Sequence, residues 1–207
     1  MVSADTILLS SLHQSAIALL HGTLRCRGYS VLKVFYNREQ SMLQVEACAR
    51  NGGARAFGVV YLQAHGPVCT PVQIDKEVCP WTPSYRGSNI GNFGYDLTRS
   101  LCTFCSAQGY DDIVLVLQSI STSSTRHLRW LKAFTVILEN DIQPLHCLIG
   151  SLQSSYTVER VQRHTMPAPS LSSEDPLAKV FGLRPGEYVR LVWTEGYTRS
   201  SEVLTVQ

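Results

Sequence analysis

The sequence predicts a mixed α/β (α+β) protein of two domains, and three observations carry that prediction. Between Tyr95 and Leu138 the apolar pattern alternates helix, strand, helix, strand, which suggests an α/β layer. Upstream, Asn51-Gly52-Gly53 lies between two hydrophobic runs, a strong hairpin signal. Near the end, Asp175 to Val192 reads as a one-turn helix, a tight turn and a strand. A chain of 207 residues is long enough for one large domain or two small ones.

Taken in order, Ala4–Arg27 reads as an amphipathic helix: Leu8, Leu12, Ile17, Leu20 and Leu24 keep helical spacing, and Gly28 ends it. Met42–Cys48 and Ala56–Leu62 are the hairpin strands. From residue 66 to 94 prolines and glycines are dense (Pro67, Pro71, Pro80, Pro83, Gly87, Gly91), which predicts a long loop. In it, Trp81 and Tyr85 are either a partner contact or anchors that fold the loop back. Tyr95–Gln108 follows as a helix stopped by Gly109, and Asp112–Gln118 contains Ile-Val-Leu-Val-Leu, a run typical of a buried strand. A helix is expected from Ser121–Arg126 to about Phe134, with Thr122 or Ser123 as its N-cap, then a strand over Thr135–Leu138.

A domain boundary is expected at Glu139, giving domains 1–138 and 139–207. Gly150–Arg163 reads as a loop and a helix. In the terminal unit Asp175 suits an N-cap and Pro176 the first helical position, where no N–H is needed. Leu177, Val180 and Phe181 form an apolar face, and Gly182 suits the left-handed position that stops a helix. Arg184-Pro185-Gly186 makes a turn, and Tyr188–Val192 then alternates as a half-buried strand. Gly196 can turn the chain so that Val203, Leu204 and Val206 pair back.

Hydrophobic content of 44% with 16% charged residues is that of a globular protein and too apolar for disorder. No apolar run is long enough to span a membrane. The stretch Ile7-Leu8-Leu9 has no basic region before it and is broken by Ser10 and Ser11, so an intracellular protein without a secretory signal is expected. A formal charge of +2 provides no basic stripe, so any nucleic-acid contact is expected to be small and shared with other chains. The seven cysteines are an odd, scattered set. Cys102 and Cys105 form a Cys-x-x-Cys, but no second pair has metal spacing and the pair falls inside a helix, which favours core packing.

No histidine stands with Ser or Cys in a nucleophile-elbow pattern, and neither Gly-x-x-x-x-Gly-Lys-Ser/Thr nor Gly-x-Gly-x-x-Gly occurs. His146, beside Pro144, reads as a structural hydrogen-bonder at a proline turn. A metal-dependent nuclease needs converging carboxylates and a lysine; Asp75-Lys76 and Asp111-Asp112 have the wrong spacing. The best candidate for nucleic-acid contact is Ser121–Arg126, with Thr122, Ser123, Ser124 and Arg126 as the contact residues, where hydroxyls and backbone N–H groups at a helix start can meet phosphate and Arg126 adds charge.

The terminal unit resembles a small RNA polymerase component, the one called H in archaea and the fifth subunit in eukaryotic nuclear enzymes. The family pattern is matched at Asp175, Pro176, Ala178, Lys179, Gly182, Leu183, Arg184, Gly186, Val189 and Arg190, with the aromatic displaced to Phe181. The junction Ile137–His146 is similar at Pro144 and His146, with Asn140 where the family has a histidine, and Met166-Pro167 resembles the family's Leu-Pro. Leu24–Val31 resembles the end of its first helix. The chain departs from the family in a longer 66–94 segment, in a polar insertion at Ser170, Ser172 and Ser173, and in the Trp193–Arg199 hairpin.

The resemblance implies a jaw domain of nuclease-like topology and a C-terminal assembly domain. It also implies a non-catalytic, cofactor-free and metal-free subunit of DNA-directed RNA polymerase, acting in transcription. Its partners would be the largest polymerase subunit, the other subunits and, through weak backbone contacts, downstream duplex DNA, with no membrane and no small-molecule substrate. Pro144, His146, Pro167, Asp175, Pro176, Lys179, Gly182, Arg184, Gly186 and Arg190 would belong to assembly. Residues at the Thr122–Arg126 position lie close to downstream DNA in the family; Thr122, Ser124 and Arg126 match it in type and Ser123 replaces a proline. The implied location is the nucleus, or the viral factory or virion of a large DNA virus. A diverged assembly or chaperone adaptor and a metal-dependent nuclease are the alternatives.

Overall fold

The computed structural model describes residues 4–37, 40–63, 68–75, 78–83, 92–129, 134–162, 167–195 and 198–207. The expectations placed on Pro67, Lys76, Tyr85, Gly87, Gly91, Met166 and Gly196 lie outside them. The fold is mixed α/β, and the chain divides into two compact units, Met1–Gln143 and Pro144–Gln207.

In the first unit, β1 (Ala4–Ser10) leads into α1 (Ser11–Cys26), followed by β2 (Tyr29–Asn37), β3 (Met42–Ala49) and β4 (Arg55–Tyr61). Then come β5 (Val68–Asp75), β6 (Asn92–Phe93), α2 (Tyr95–Gln108), β7 (Asp112–Leu117), β8 (Ser119–Ile120), α3 (Thr122–Arg129) and β9 (Phe134–Leu138). The main sheet has the order β2-β3-β4-β7-β9: an antiparallel meander continued by two parallel strands. Asn51-Gly52-Gly53 turns β3 into β4, with Gly52 and Gly53 at φ 75° and 95°, values that disfavour a side chain.

Strand alternation puts neighbouring β4 residues on opposite faces. Phe57, Val59 and Tyr61 pack with Leu97, Leu101 and Cys105 of α2 and Leu128 of α3. Gly58 faces α1, so closely that a Cβ there would stand 2.7 Å from Leu20 Cδ2. The sheet is thus covered by α1 on one face and by α2 and α3 on the other. Arg27, whose side chain is only 3% exposed, ties the end of α1 to the sheet: it reaches Asp112 at 2.7 Å and donates to Thr135 Oγ1 at 3.0 Å.

Two sequence expectations give way here. Residues 4–10 are a strand, not the start of the helix. Ile7-Leu8-Leu9 satisfies either period, β5 supplies an antiparallel partner along the whole segment, and the Ser10 hydroxyl accepts from the His13 N–H, starting α1 at Ser11. The 66–94 segment is not one loop, because β5 and β6 form within it. Trp81 is an anchor. It is 3% exposed, its N–H and carbonyl pair with both ends of the buried Gln44 amide, and its indole donates to Ser100 Oγ at 3.2 Å.

α4 (Glu139–Ser155) begins in the first unit and ends in the second. The units divide at Gln143/Pro144, five residues beyond the division expected before Glu139, and α4 runs on through Pro144, which cannot donate a helical hydrogen bond there. Pro144 therefore stands inside a helix rather than in a turn. The loop and helix expected over Gly150–Arg163 give way to the end of α4 and β10 (Tyr156–Val161), since β12 offers that segment an antiparallel partner. The second unit adds β11 (Ser170–Leu171), α5 (Pro176–Phe181), β12 (Tyr188–Glu195) and β13 (Thr198–Val206), in sheet order β10-β12-β13-β11. Ala178, Leu183, Val189 and Val206 form its core with Val158, Leu171, Phe181 and Leu204. Of the face expected from Leu177, Val180 and Phe181, Val180 is fully buried and Phe181 packs against the core, while Leu177 is only half-buried and Ala178, 1% exposed, joins the buried side.

Candidate nucleic-acid interface and assembly segment

The candidate nucleic-acid residues sit at the carboxyl end of β7. β6 and β8 run parallel there, and each opens a helix: Gly94 caps α2 without a side chain, and Ser121 precedes α3. Ser121, not Thr122 or Ser123, caps α3, its Oγ accepting from Ser124 N at 3.2 Å. Thr122, Ser123 and Arg126 are exposed. Ser124 is fully buried, with Oγ donating to the Phe93 carbonyl at 3.2 Å, so it fastens the helix start to β6 and does not share the exposed face. Tyr95 is 44% exposed and packs edge-on against His127, with ring centroids 5.6 Å apart. Ser121 belongs to the segment the sequence singles out, whereas Tyr95 carries no signal of this role there, because only the β6–β8 pairing brings the two helix starts together. This arrangement offers N–H dipoles, hydroxyls and the Arg126 guanidinium to an anion, while exposed Asp96 in the first turn of α2 opposes it.

The assembly segment is built by local chemistry. Asp175 Oδ1 accepts from Leu177 N at 2.8 Å, capping α5, and Pro176 occupies the first turn. At the other end Gly182 is left-handed (φ 62°, ψ 38°). Its N–H donates to Lys179 O, and Leu183 N donates to Ala178 O at 2.9 Å, the paired bonds of a Schellman motif, with Leu183 packed in the same core as Ala178. Arg184–Glu187 then closes a turn through Glu187 N to Arg184 O at 3.0 Å, with Pro185 second and Gly186 third at φ 88°, as a type II turn requires. Gly186 N donates to Val206 O and Val206 N to Glu187 O, stitching the turn to β13.

Arg160 of β10 completes this unit. Its guanidinium pairs with Glu187 at 3.3 Å and donates to the Phe181 and Gly182 carbonyls, both at 3.4 Å, so a cation meets the negative end of α5. Glu187 Oε2 in turn accepts from Arg184 N at 2.8 Å. Nothing near Arg160 in the sequence announces this role, since its partners lie about two dozen residues away and meet it only through the sheet.

The other matched residues are distributed as follows. Lys179 is mostly buried and lies 3.5 Å from Glu174. Arg190 is half-exposed on β12 and lies 3.8 Å from Glu159. Pro144, His146 and Pro167 are exposed.

The carboxylates weighed for a metal site are taken up by the fold. Asp112 holds Arg27, Asp111 accepts from Arg55 N at 2.9 Å, and Asp75 accepts from Val34 N at 2.8 Å. Among the described residues no group of three His, Cys, Asp or Glu side chains could hold a metal ion. Cys102 and Cys105 pack with the α2 side of the core, and burial pushes their thiols up to about 11 and about 12, so they stay protonated. Glu46, Arg55 and Tyr110 form a second knot: Tyr110 donates to Glu46, and Arg55 stacks 4.6 Å over the Tyr110 ring. Burial raises the Tyr110 hydroxyl well above its usual range, with the Glu46 hydrogen bond and charge adding to it.

Neither a protein-family model nor a curated protein matches the chain.

Proposed function

We propose that this chain is a non-catalytic subunit of a DNA-directed RNA polymerase. Its second unit would anchor it on the largest subunit, and its first unit would serve as part of the lower jaw around downstream DNA. One observation carries the reading. In the segment that resembles the polymerase family, each matched residue with a special demand stands where that demand arises: Asp175 as cap, Pro176 in the first turn, Gly182 and Gly186 at positive φ. The match is therefore to a folded unit, in which Arg184 and Arg190 would turn to the largest subunit, Arg190 exchanging its Glu159 pairing for that contact.

The jaw role is positional. Thr122, Ser123 and Arg126 at the α3 start would add a few phosphate contacts to a duplex held by the larger subunits. The small net charge of +2 suits a chain that does not hold DNA alone. Magnesium and nucleotide addition would belong to those larger subunits. The chain would work where its polymerase works, in the nucleus or in a viral factory or virion.

The test is to tag the protein in its own cell, purify it gently and identify what comes with it. Recovery of the two large polymerase subunits near equal stoichiometry is expected. Recovery of chaperones in their place would move the reading to an assembly adaptor, and recovery of the chain alone would overturn it.

A further inference from the structure

The polar insertion before α5 has no part in the proposed jaw or anchor, and its geometry singles out one hydroxyl. Ser172 is exposed in the turn between β11 and α5. Its Oγ accepts from Glu174 N at 3.2 Å and its carbonyl from Asp175 N at 3.0 Å. Glu174 and Asp175 follow it at the second and third positions, and the Glu174 side chain is 75% exposed. Among the described residues, no other serine or threonine has carboxylates at both positions. Ser173 is half-buried, with its N–H donating to Gln207 O at 2.7 Å, and has Pro176 at its third position; Ser170 has no acid within three.

We propose that Ser172 is a phosphorylation site for an acid-directed serine/threonine kinase, one whose substrate groove is lined with basic side chains. Such a groove pairs with carboxylates just after the acceptor by charge-assisted hydrogen bonds. The segment is at the sheet margin, where β11 is only two residues long; docking in the extended form a kinase needs would release the Ser172 carbonyl from Asp175 N, the Ser173 N–H from Gln207 O and the Asp175 carboxylate from Leu177 N. In the step, Ser172 Oγ attacks the γ-phosphorus of ATP. The new O–P bond forms as the bridging bond to ADP breaks, and the hydroxyl proton passes to the kinase's catalytic carboxylate. The product carries about −1.5 to −2 charge beside Glu174, where it would compete for Lys179, 3.5 Å from that carboxylate. The site does not rest on the polymerase reading and survives its failure.

The full chain is incubated with ATP and an acid-directed kinase, and the phosphate is located by peptide mass spectrometry. Incorporation at Ser172 is expected, lost in Ser172→Ala and slowed about tenfold in Glu174→Gln, the value of one charge-assisted hydrogen bond. Glu174 is exposed and caps nothing, so that variant keeps the fold. Absence of phosphate at Ser172, its appearance on Ser170 or Ser173 in place of Ser172, or an undiminished rate in Glu174→Gln would each overturn the proposal.

Discussion

Gly182→Val is the sharpest probe of the assembly segment. Gly182 sits at φ 62° and ψ 38°, where an L side chain crowds the following carbonyl. An ordinary residue held there costs about 1–3 kcal/mol, and a β-branched one belongs at the top of that range, about 2–3 kcal/mol. A unit the size of Pro144–Gln207 has roughly 3–10 kcal/mol to lose. The Schellman bonds Gly182 N to Lys179 O and Leu183 N to Ala178 O depend on that backbone, and the Arg160 bonds to the Phe181 and Gly182 carbonyls depend on the same turn. Hydrogen exchange followed by mass spectrometry reads the effect directly. The Leu183 and Val206 amides, bonded to Ala178 O and Glu187 O, are expected to exchange about 30- to 150-fold faster in Gly182→Val, the factor equivalent to 2–3 kcal/mol. Gly182→Asn, whose side chain tolerates the left-handed region, should cost about 1 kcal/mol or less. Equal exchange in the Val and Asn variants, or a change below about threefold in Gly182→Val, would refute the capping argument.

Two further predictions concern the first unit. Arg27→Met leaves Asp112 and Thr135 without their buried cation and should destabilise by about 3 kcal/mol in urea unfolding, whereas Arg27→Met with Asp112→Leu should recover much of that; a single variant as stable as the parent would contradict the ion-pair account. Burial lowers the pKa of both His13 and His21 below the usual 6.5, and Arg25 lowers His21 further. Well above pH 6.5 both are neutral, folded or unfolded, and add nothing; as pH falls through 6.5 the unfolded chain takes up protons that the folded chain resists, so stability falls until the lower folded pKa is passed. Urea unfolding at pH 7.5 and 5.5 should show that loss, and His13→Gln with His21→Gln should shrink it; an undiminished loss in the double variant would show that other groups carry it.

Much of the local structure was legible because its signals are local. Gly109 stops α2 at φ 68°, and Asp175, Pro176, Gly182 and Gly186 each perform the backbone task their chemistry suggests. The candidate nucleic-acid face was legible only in part. Thr122, Ser123 and Arg126 are exposed as a helix start allows, but Ser124 turns inward because Phe93, thirty-one residues earlier, offers a carbonyl.

The α/β class, the hairpin at Asn51–Gly53, and the capped helix and turn that open β12 follow from the amino-acid order alone, because caps, turns and apolar periods act over a few residues. Long-range pairing settled the rest: residues 4–10 became a strand, β5 formed within a proline-rich stretch, Trp81 was pinned by Gln44, and Arg160 closed the end of α5. Each of these depends on a partner distant in the chain. A backbone group without a local partner takes whichever donor or acceptor the folded sheet brings to it.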